Sequence, residues 1–220
     1  MKDKKFLIQH GKNLNRYDQF QNALDAGFGI EFDLNVGLVV SHNLPFGDRA
    51  DYMSYNELLY MVEAHMNATG NAVPIAIDIK SRWVTGLAVK YLVGRPLIEA
   101  AQIIAFDPVS IGLIQEAAKK SNIDIKTGWL YEKKEGVPAP VDPIALAISL
   151  GVDCILPHHS LVSRKLVEDA NDEGIDVKTW TIDIKDIDEA RRVLDCGVSA
   201  ITTNQPGMMY RLLTAMPKSR

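Results

Sequence analysis

The feature that most constrains the fold of this sequence is a recurrent alternation of short β-branched runs with amphipathic stretches. Each apolar run is followed by a polar turn, a segment with apolar residues at helical spacing, and another apolar run, which is typical of successive βα units. We count eight such units, with strands predicted at residues 5–9, 28–34, 73–79, 101–106, 125–130, 153–156, 177–182 and 200–203. A ninth run, residues 37–42, is predicted to form a hairpin with the second strand.

The segments between these strands are predicted to form helices. In one of them Leu166, Val167 and Ala170 share a helical face, and Gly174 is expected to end the helix. Eight parallel strands with external helices close into a barrel, whereas the main alternative, a doubly wound open sheet, usually has fewer units. The predicted fold class is therefore α/β, a (β/α)₈ TIM barrel.

The domain organisation follows from the absence of any dividing segment. No linker rich in proline, glycine and serine interrupts the 220 residues, and the richest turn, residues 136–143, lies between one βα unit and the next. With 47% hydrophobic residues the chain can bury a sizeable core. We therefore predict a single domain over residues 1–220.

The overall charge and the cysteines limit the partners and the compartment. A formal charge of -4 offers no basic excess for nucleic acid or anionic membranes. The sequence shows neither a signal peptide nor an apolar segment long enough to span a bilayer. Cys154 and Cys196 lie in apolar segments without the spacing of zinc ligands or a disulfide framework. We expect a cytoplasmic protein with a small-molecule partner, no nucleic acid and no membrane insertion.

Acidic residues occur where a barrel of this kind builds its active site, at the carboxyl ends of the strands. Glu31 and Asp33 are two residues apart on the second predicted strand, so they share a face, and Ile30 and Phe32 supply the outward apolar face. Asp78 lies at the same level of the next strand. Three inward carboxylates cannot all remain ionised without a compensating cation. The sequence predicts a divalent metal on these residues, and their hard oxygen ligands favour Mg²⁺ or Ca²⁺ over zinc.

Two histidines and a lysine end neighbouring strands beside these carboxylates. His10 and His42 are candidates for a general acid and a general base, since the ordinary pKa of histidine is near 6.5. Lys80 is predicted to hold a phosphate oxygen. The alternative for Lys80 is a simple ion pair with Asp78, two residues earlier on the same strand.

Three further residues are candidates for substrate contact. Phe106 and Trp180 lie at strand ends and are predicted to form walls of the pocket. His158 follows the sixth strand and faces the same end of the barrel, so a substrate contact is expected there. The alternative for His158 is a structural hydrogen bond, which is the commoner role of an isolated histidine.

Seven short segments extend this pattern along the chain. They are His10-Gly11-Lys12, Gly29-Ile30-Glu31-Phe32-Asp33, His42-Asn43, Asp78-Ile79-Lys80, Ala105-Phe106-Asp107, Trp180-Thr181-Ile182 and Ile201-Thr202-Thr203-Asn204-Gln205-Pro206. In the same order they resemble His-Arg-Gly, Gly-Ile-Glu-x-Asp, His-Asp, Glu-Ile-Lys, Ser-Phe-Asp, Trp-Thr-Val and Ile-Thr-Asp-x-Pro of the glycerophosphodiester phosphodiesterase family. The resemblance spans the predicted strands in register.

The resemblance implies a metal-dependent phosphoric diester hydrolase acting on glycerophosphodiesters or a related small phosphodiester. It implies a metal held by Glu31, Asp33 and Asp78, with His10 and His42 as the acid and base. In that family a neighbouring hydroxyl is thought to attack phosphorus, and the resulting cyclic phosphate is then hydrolysed.

The chain departs from the family pattern at two functional positions. Lys12 stands where the family has arginine, so it offers a point charge to the substrate phosphate rather than a bidentate fork. Asp78 replaces a glutamate and is one methylene shorter. These departures leave open a barrel that binds a phosphodiester or polyol phosphate without hydrolysing it. A sugar-phosphate isomerase or aldolase is a weaker alternative, because the last two βα loops offer only Gly207 for a phosphate cradle.

Overall fold

The computed structural model describes residues 7–10, 17–41, 52–136 and 138–215. The strands within these residues are β1 (Leu7–Gln9), β2 (Gly29–Asn35), β3 (Val39–Val40), β4 (Ile75–Ile79), β5 (Ala101–Ala105), β6 (Lys126–Tyr131), β7 (Cys154–Pro157), β8 (Asp176–Thr179) and β9 (Ala200–Thr203). The helices are α1 (Tyr17–Asp25), α2 (Tyr55–Thr69), α3 (Thr85–Leu92), α4 (Pro108–Ser121), α5 (Pro143–Leu150), α6 (Arg164–Asp172), α7 (Ile187–Cys196) and α8 (Pro206–Ala215).

The sheet closes on itself. Around the ring the strands follow the order β1, β2, β4, β5, β6, β7, β8, β9, every neighbouring pair is parallel, and β9 pairs with β1. The short β3 lies outside this ring as an antiparallel partner of β2. Both the predicted (β/α)₈ barrel and the predicted hairpin on its second strand are therefore confirmed.

The main core lies between the barrel and its helices. Phe32 of β2 meets Phe20 of α1 at 6.2 Å between ring centroids and Tyr55 of α2 at 6.0 Å, and all three side chains are fully buried. This packing fixes the outward face of β2. Because successive strand residues point to opposite faces, Glu31 and Asp33 must point into the barrel.

A smaller apolar cluster fills the middle of the barrel, formed by Ala76, Ile104, Leu130, Cys154 and Leu156. Gly128 of β6 also faces this cluster, since a Cβ built there would lie 2.7 Å from both Cys154 Sγ and Leu156 Cδ1. The barrel centre is therefore packed like a core, as expected for a barrel of eight strands. The polar residues of the interior are confined to its two ends.

Local sequence explains most element boundaries. Ser54 and Glu57 form a reciprocal capping box at the start of α2, and Asp107 caps α4. Gly197 ends α7 in the left-handed conformation at φ +100°. Among the described helices, none has the length and apolar character that crossing a membrane requires.

The strand β8, the seventh of the barrel, is shorter than predicted, because it ends at Thr179 rather than at residue 182. At this point side chains donate hydrogen bonds to the carbonyl groups of β7. Thr179 Oγ1 donates to Pro157 O at 2.9 Å, and Trp180 Nε1 donates to Leu156 O at 2.9 Å. The indole of Trp180 is thereby turned across the end of β7. Beyond Thr179, an isolated bridge joins Trp180 to His158, and the backbone N–H of Ile182 donates to Thr202 O at 3.0 Å.

Candidate active site

A cavity of about 460 Å³ opens at the carboxyl end of the barrel. It is lined by His10, Glu31, Asp78, Lys80, Ile104, Phe106, Leu130, Glu132, Lys134, Leu156, Trp180, Thr181, Asp183, Thr202 and Asn204. Six of the predicted site residues are among them: His10, Glu31, Asp78, Lys80, Phe106 and Trp180. The apolar middle layer of the barrel forms the floor of this cavity.

Three carboxylates converge on one side of the cavity. Asp33 and Asp78 are direct neighbours in the β2–β4 register, and Glu31 lies one pleat deeper on β2. All three residues are buried, with 2% to 4% of their surface exposed. One carboxylate oxygen from each lies within 4.8 Å of the others. The tertiary structure thus brings together the three residues predicted as metal ligands.

Lys80 lies directly against this cluster. Its Nζ donates to Asp78 Oδ2 at 2.5 Å and forms an ion pair with Asp33, 2.8 Å from Oδ1. Burial disfavours the charged ammonium, but the attraction of Asp78 and Asp33 outweighs burial and raises the pKa of Lys80 above its ordinary value. The ion pair with Asp78 that was considered as an alternative does form, and it includes Asp33.

The charge and chemistry of the cluster fit a bound divalent cation. Three carboxylates and one ammonium carry a net charge of -2 when all are ionised, so one divalent ion would neutralise them. The ligands are carboxylate oxygens, which suit hard cations such as Mg²⁺ and Ca²⁺. Their burial makes uncompensated negative charge costly. Glu31, Asp33 and Asp78 therefore form a coherent ligand set for such an ion.

His10 is held at the rim of this cluster by a chain of polar side chains. Its Nδ1 lies 2.8 Å from Asn204 Oδ1, and Asn204 Nδ2 donates to Asp183 Oδ1 at 3.3 Å. Because an ionised Asp183 only accepts hydrogen bonds, it orients the Asn204 amide so that the amide oxygen faces His10. His10 Nδ1 then carries the proton. The basic Nε2 faces the carboxylates, 3.9 Å from Glu31 Oε2.

Phe106 and Trp180, the two aromatic residues predicted as pocket walls, both line this cavity. Their rings meet edge to face at 5.3 Å between centroids. The Nζ of Lys80 lies 5.8 Å from the centroid of the Phe106 ring. The cavity is therefore charged on one side and aromatic on the other.

His158 does not line the cavity. Its ring packs edge-on against Trp180 at 5.2 Å, and its Nδ1 lies 2.8 Å from Ser160 Oγ. Burial, followed by the neighbouring charge of His159, lowers the pKa of His158 below its ordinary value. In this structure His158 supports Trp180 from behind, which agrees with the structural alternative rather than with direct substrate contact.

Two predicted site residues cannot be placed. His42, the second member of the predicted acid and base pair, and Lys12, the predicted phosphate contact, lie outside the described residues. Ser41 is the last described residue before His42, and its backbone N–H donates to Asp33 O at 3.0 Å. The chain therefore leaves the β2–β3 hairpin beside a carboxylate residue.

Sequence reasoning missed several residues of the cavity wall. Glu132 and Lys134 follow β6 directly, and Asp183 follows the shortened β8. Asn204 lies in the last of the seven family-like segments, but no role was predicted for it. The only available indication was position, since polar residues that directly follow barrel strands lie at the mouth.

Comparison with known proteins gives a consistent result. The model of the family described as glycerophosphoryl diester phosphodiesterase matches residues 2–208. A search of curated proteins found no match.

Similar solved structures share the barrel at low sequence identity. A Silicibacter pomeroyi protein assigned as a glycerophosphoryl diester phosphodiesterase has a TM-score of 0.79 and 20% identity, covering 98% of this chain and 95% of its own. A Parabacteroides distasonis glycerophosphodiester phosphodiesterase has a TM-score of 0.73 and 16% identity, covering 98% and 99%. An Oleispira antarctica phosphodiesterase solved with the product sn-glycerol-3-phosphate has a TM-score of 0.69 and 14% identity, covering 94% and 96%.

Proposed function

The chain belongs to the glycerophosphoryl diester phosphodiesterase family, a family of phosphoric diester hydrolases, and we propose that it hydrolyses glycerophosphodiesters with the aid of a divalent metal. One observation carries the proposal beyond the family: Glu31, Asp33 and Asp78 converge within 4.8 Å beside His10 in the cavity. The Oleispira antarctica relative, whose product is sn-glycerol-3-phosphate, supports the same substrate class.

Glu31, Asp33 and Asp78 would hold the metal, either Mg²⁺ or Ca²⁺. When bound, such an ion supplies neutralisation of the negative charge that develops on the phosphoryl oxygens. These residues contribute buried carboxylate oxygens, and the register of β2 against β4 sets the spacing between them. Their burial also keeps water away from all but the open side of the site.

His10 would act on protons through Nε2. The Asp183–Asn204 chain holds the ring with Nδ1 protonated, so Nε2 is the nitrogen that would accept a proton from an attacking hydroxyl. His42 is proposed as the partner that protonates the leaving alcohol, as the family resemblance implies. This division assigns one proton transfer to each histidine.

Lys80 and Lys12 would hold the phosphate. The ammonium of Lys80 has three N–H donors, and two are directed at Asp33 and Asp78. The third is available to a phosphoryl oxygen in the cavity that Lys80 lines. Lys12 would add a point charge in place of the family arginine.

The test is hydrolysis of glycerophosphocholine, glycerophosphoethanolamine and glycerophosphoinositol by purified protein with Mg²⁺, with Ca²⁺ and after treatment with EDTA. We expect release of glycerol phosphate that is restored by the metal after chelation. The Glu31→Gln variant keeps the shape of the side chain and should lose turnover. Metal-independent turnover, or full activity of Glu31→Gln, would contradict the proposal.

A second candidate function, binding without turnover, is favoured by the position of Lys80. Its ammonium already neutralises part of the cluster, so the carboxylates have some compensation without a metal. Calorimetry with glycerol phosphate and with Mg²⁺ distinguishes the two functions. Binding of both ligands with no hydrolysis of the three diesters would favour the binding protein.

A further inference from the structure

A second charged pair lies on the aromatic side of the cavity. Glu132 and Lys134 follow β6, both line the cavity, and their carboxylate and ammonium are in contact. The side chain of Glu132 is 19% exposed, while that of Lys134 is 64% exposed. The Nζ of Lys134 also lies 5.8 Å from the centroid of the Phe106 ring.

Without the lysine, this wall would suit a cationic ligand. An aromatic ring beside a half-buried carboxylate attracts ammonium groups, since the ring face and the carboxylate are both negative. Phe106, Trp180 and Glu132 supply those groups at the mouth. Lys134 places its own ammonium against the carboxylate and the ring, where a choline or ethanolamine group would otherwise lie.

We propose that Lys134 excludes cationic alcohols from this wall, so that the alcohol released from the natural phosphodiester is a neutral polyol. The inference rests on the proposed hydrolysis and deepens it by assigning the class of alcohol. A hydroxyl both donates and accepts, so several hydroxyls match a pair in which Lys134 donates and Glu132 accepts. An anionic alcohol would meet the carboxylates of Glu132 and Asp183 at the same mouth.

The experiment compares kcat/KM for glycerophosphoinositol, which releases a neutral polyol, with kcat/KM for glycerophosphocholine. We expect the wild-type protein to prefer the inositol diester. Lys134→Met removes the ammonium and keeps the apolar stem, and it should shift the ratio about tenfold toward the choline diester. Lys133→Met is the matched control, because Lys133 is exposed and outside the cavity lining, and it should leave the ratio unchanged.

Glu132→Gln provides an independent second variant. It removes the carboxylate but keeps the ammonium of Lys134, so discrimination against glycerophosphocholine should increase. A wild-type preference for the choline diester, or an unchanged ratio in Lys134→Met with an unchanged melting temperature, would overturn the inference.

Binding measurements separate this inference from the proposed function. If the wild-type protein hydrolyses no diester, the proposed function fails, and calorimetric affinities for the same two diesters then give the ratio. A shift of that ratio toward glycerophosphocholine in Lys134→Met, and not in Lys133→Met, supports the role of Lys134. Equal ratios in the two variants contradict it.

Discussion

The two ends of the barrel interior are both polar, but they differ in how far their charged groups balance one another. At the carboxyl end, Glu31, Asp33 and Asp78 outnumber Lys80 and leave a net charge of -2 when ionised. The amino end carries a polar network in which one lysine, Lys178, is balanced by one carboxylate, Asp176.

The polar residues at the amino end satisfy one another. Lys178 Nζ donates to Gln102 Oε1 at 2.7 Å, and Gln102 Nε2 donates to Cys154 Sγ at 2.8 Å. Asp176 Oδ2 lies 3.8 Å from the same ammonium and balances its charge. Because β5 and β8 are not neighbours in the sheet, the bond between Gln102 and Lys178 spans the interior.

The comparison teaches how to separate a structural polar cluster from a functional one. The amino end is balanced within itself, so it contributes to stability. Among the described residues, the carboxylates of the carboxyl end outnumber the ammonium groups beside them, and such sites are where proteins place function. The apolar layer of Ile104, Leu130 and Leu156 keeps the two ends apart.

The largest effect is expected from Glu31→Gln at the carboxyl end. Turnover of glycerophosphodiesters should fall about a hundredfold to a thousandfold, because the charge stabilising the reacting phosphate is disturbed. The melting temperature in EDTA should not fall, since one of three repelling carboxylates is removed. Steady-state kinetics and thermal denaturation test both statements. A large fall of the melting temperature in EDTA would show instead that Glu31 stabilises the fold, as the polar residues at the amino end do.

Asn204→Ala should have the next largest effect. It removes the acceptor that orients His10, and kcat should fall about tenfold to a hundredfold. The double variant Asp183→Asn with Asn204→Asp exchanges the amide and the carboxylate, so residue 204 still accepts from His10. Partial recovery of kcat in the double variant relative to Asn204→Ala is expected, and its absence would contradict the positioning role.

At the amino end, Gln102→Leu should change stability and leave catalysis intact. It removes the acceptor of Lys178 and leaves a half-buried ammonium paired with the more distant carboxylate of Asp176, at a cost of roughly 1–3 kcal/mol. Urea denaturation measures this loss. A loss of kcat/KM in the folded variant would contradict the distinction between a stabilising amino end and a catalytic carboxyl end.

The smallest effect concerns the thiol of Cys154. Burial raises the pKa of Cys154 to about 12, so the native thiol stays protonated at about pH 8 and reacts slowly. Alkylation followed by mass spectrometry should modify the half-buried Cys196 first. Cys154 should react only after denaturation. Equal rates for both thiols would show that the amino end opens readily.

Much of the fold and part of the site were predictable from local pattern. In β2 the alternation of Ile30 and Phe32 with Glu31 and Asp33 predicted which face would be buried under helices, and the structure confirms it. The ending of β8 at Thr179 was not predictable, since it depends on side-chain bonds to the carbonyls of β7. The chain formed by His10, Asn204 and Asp183 was missed because its members are far apart in sequence.

By itself the sequence determined the periodicity of the elements, the barrel class and the identity of the acidic residues, because strand alternation and βα succession are local properties. Only the tertiary structure decided which charged side chains meet groups from other strands. Closing the barrel brought Lys80 onto Asp33 of the neighbouring strand, and placed Lys134 beside Phe106. Electrostatic interactions depend on distance through space, and that distance is set only when the strands take their final register.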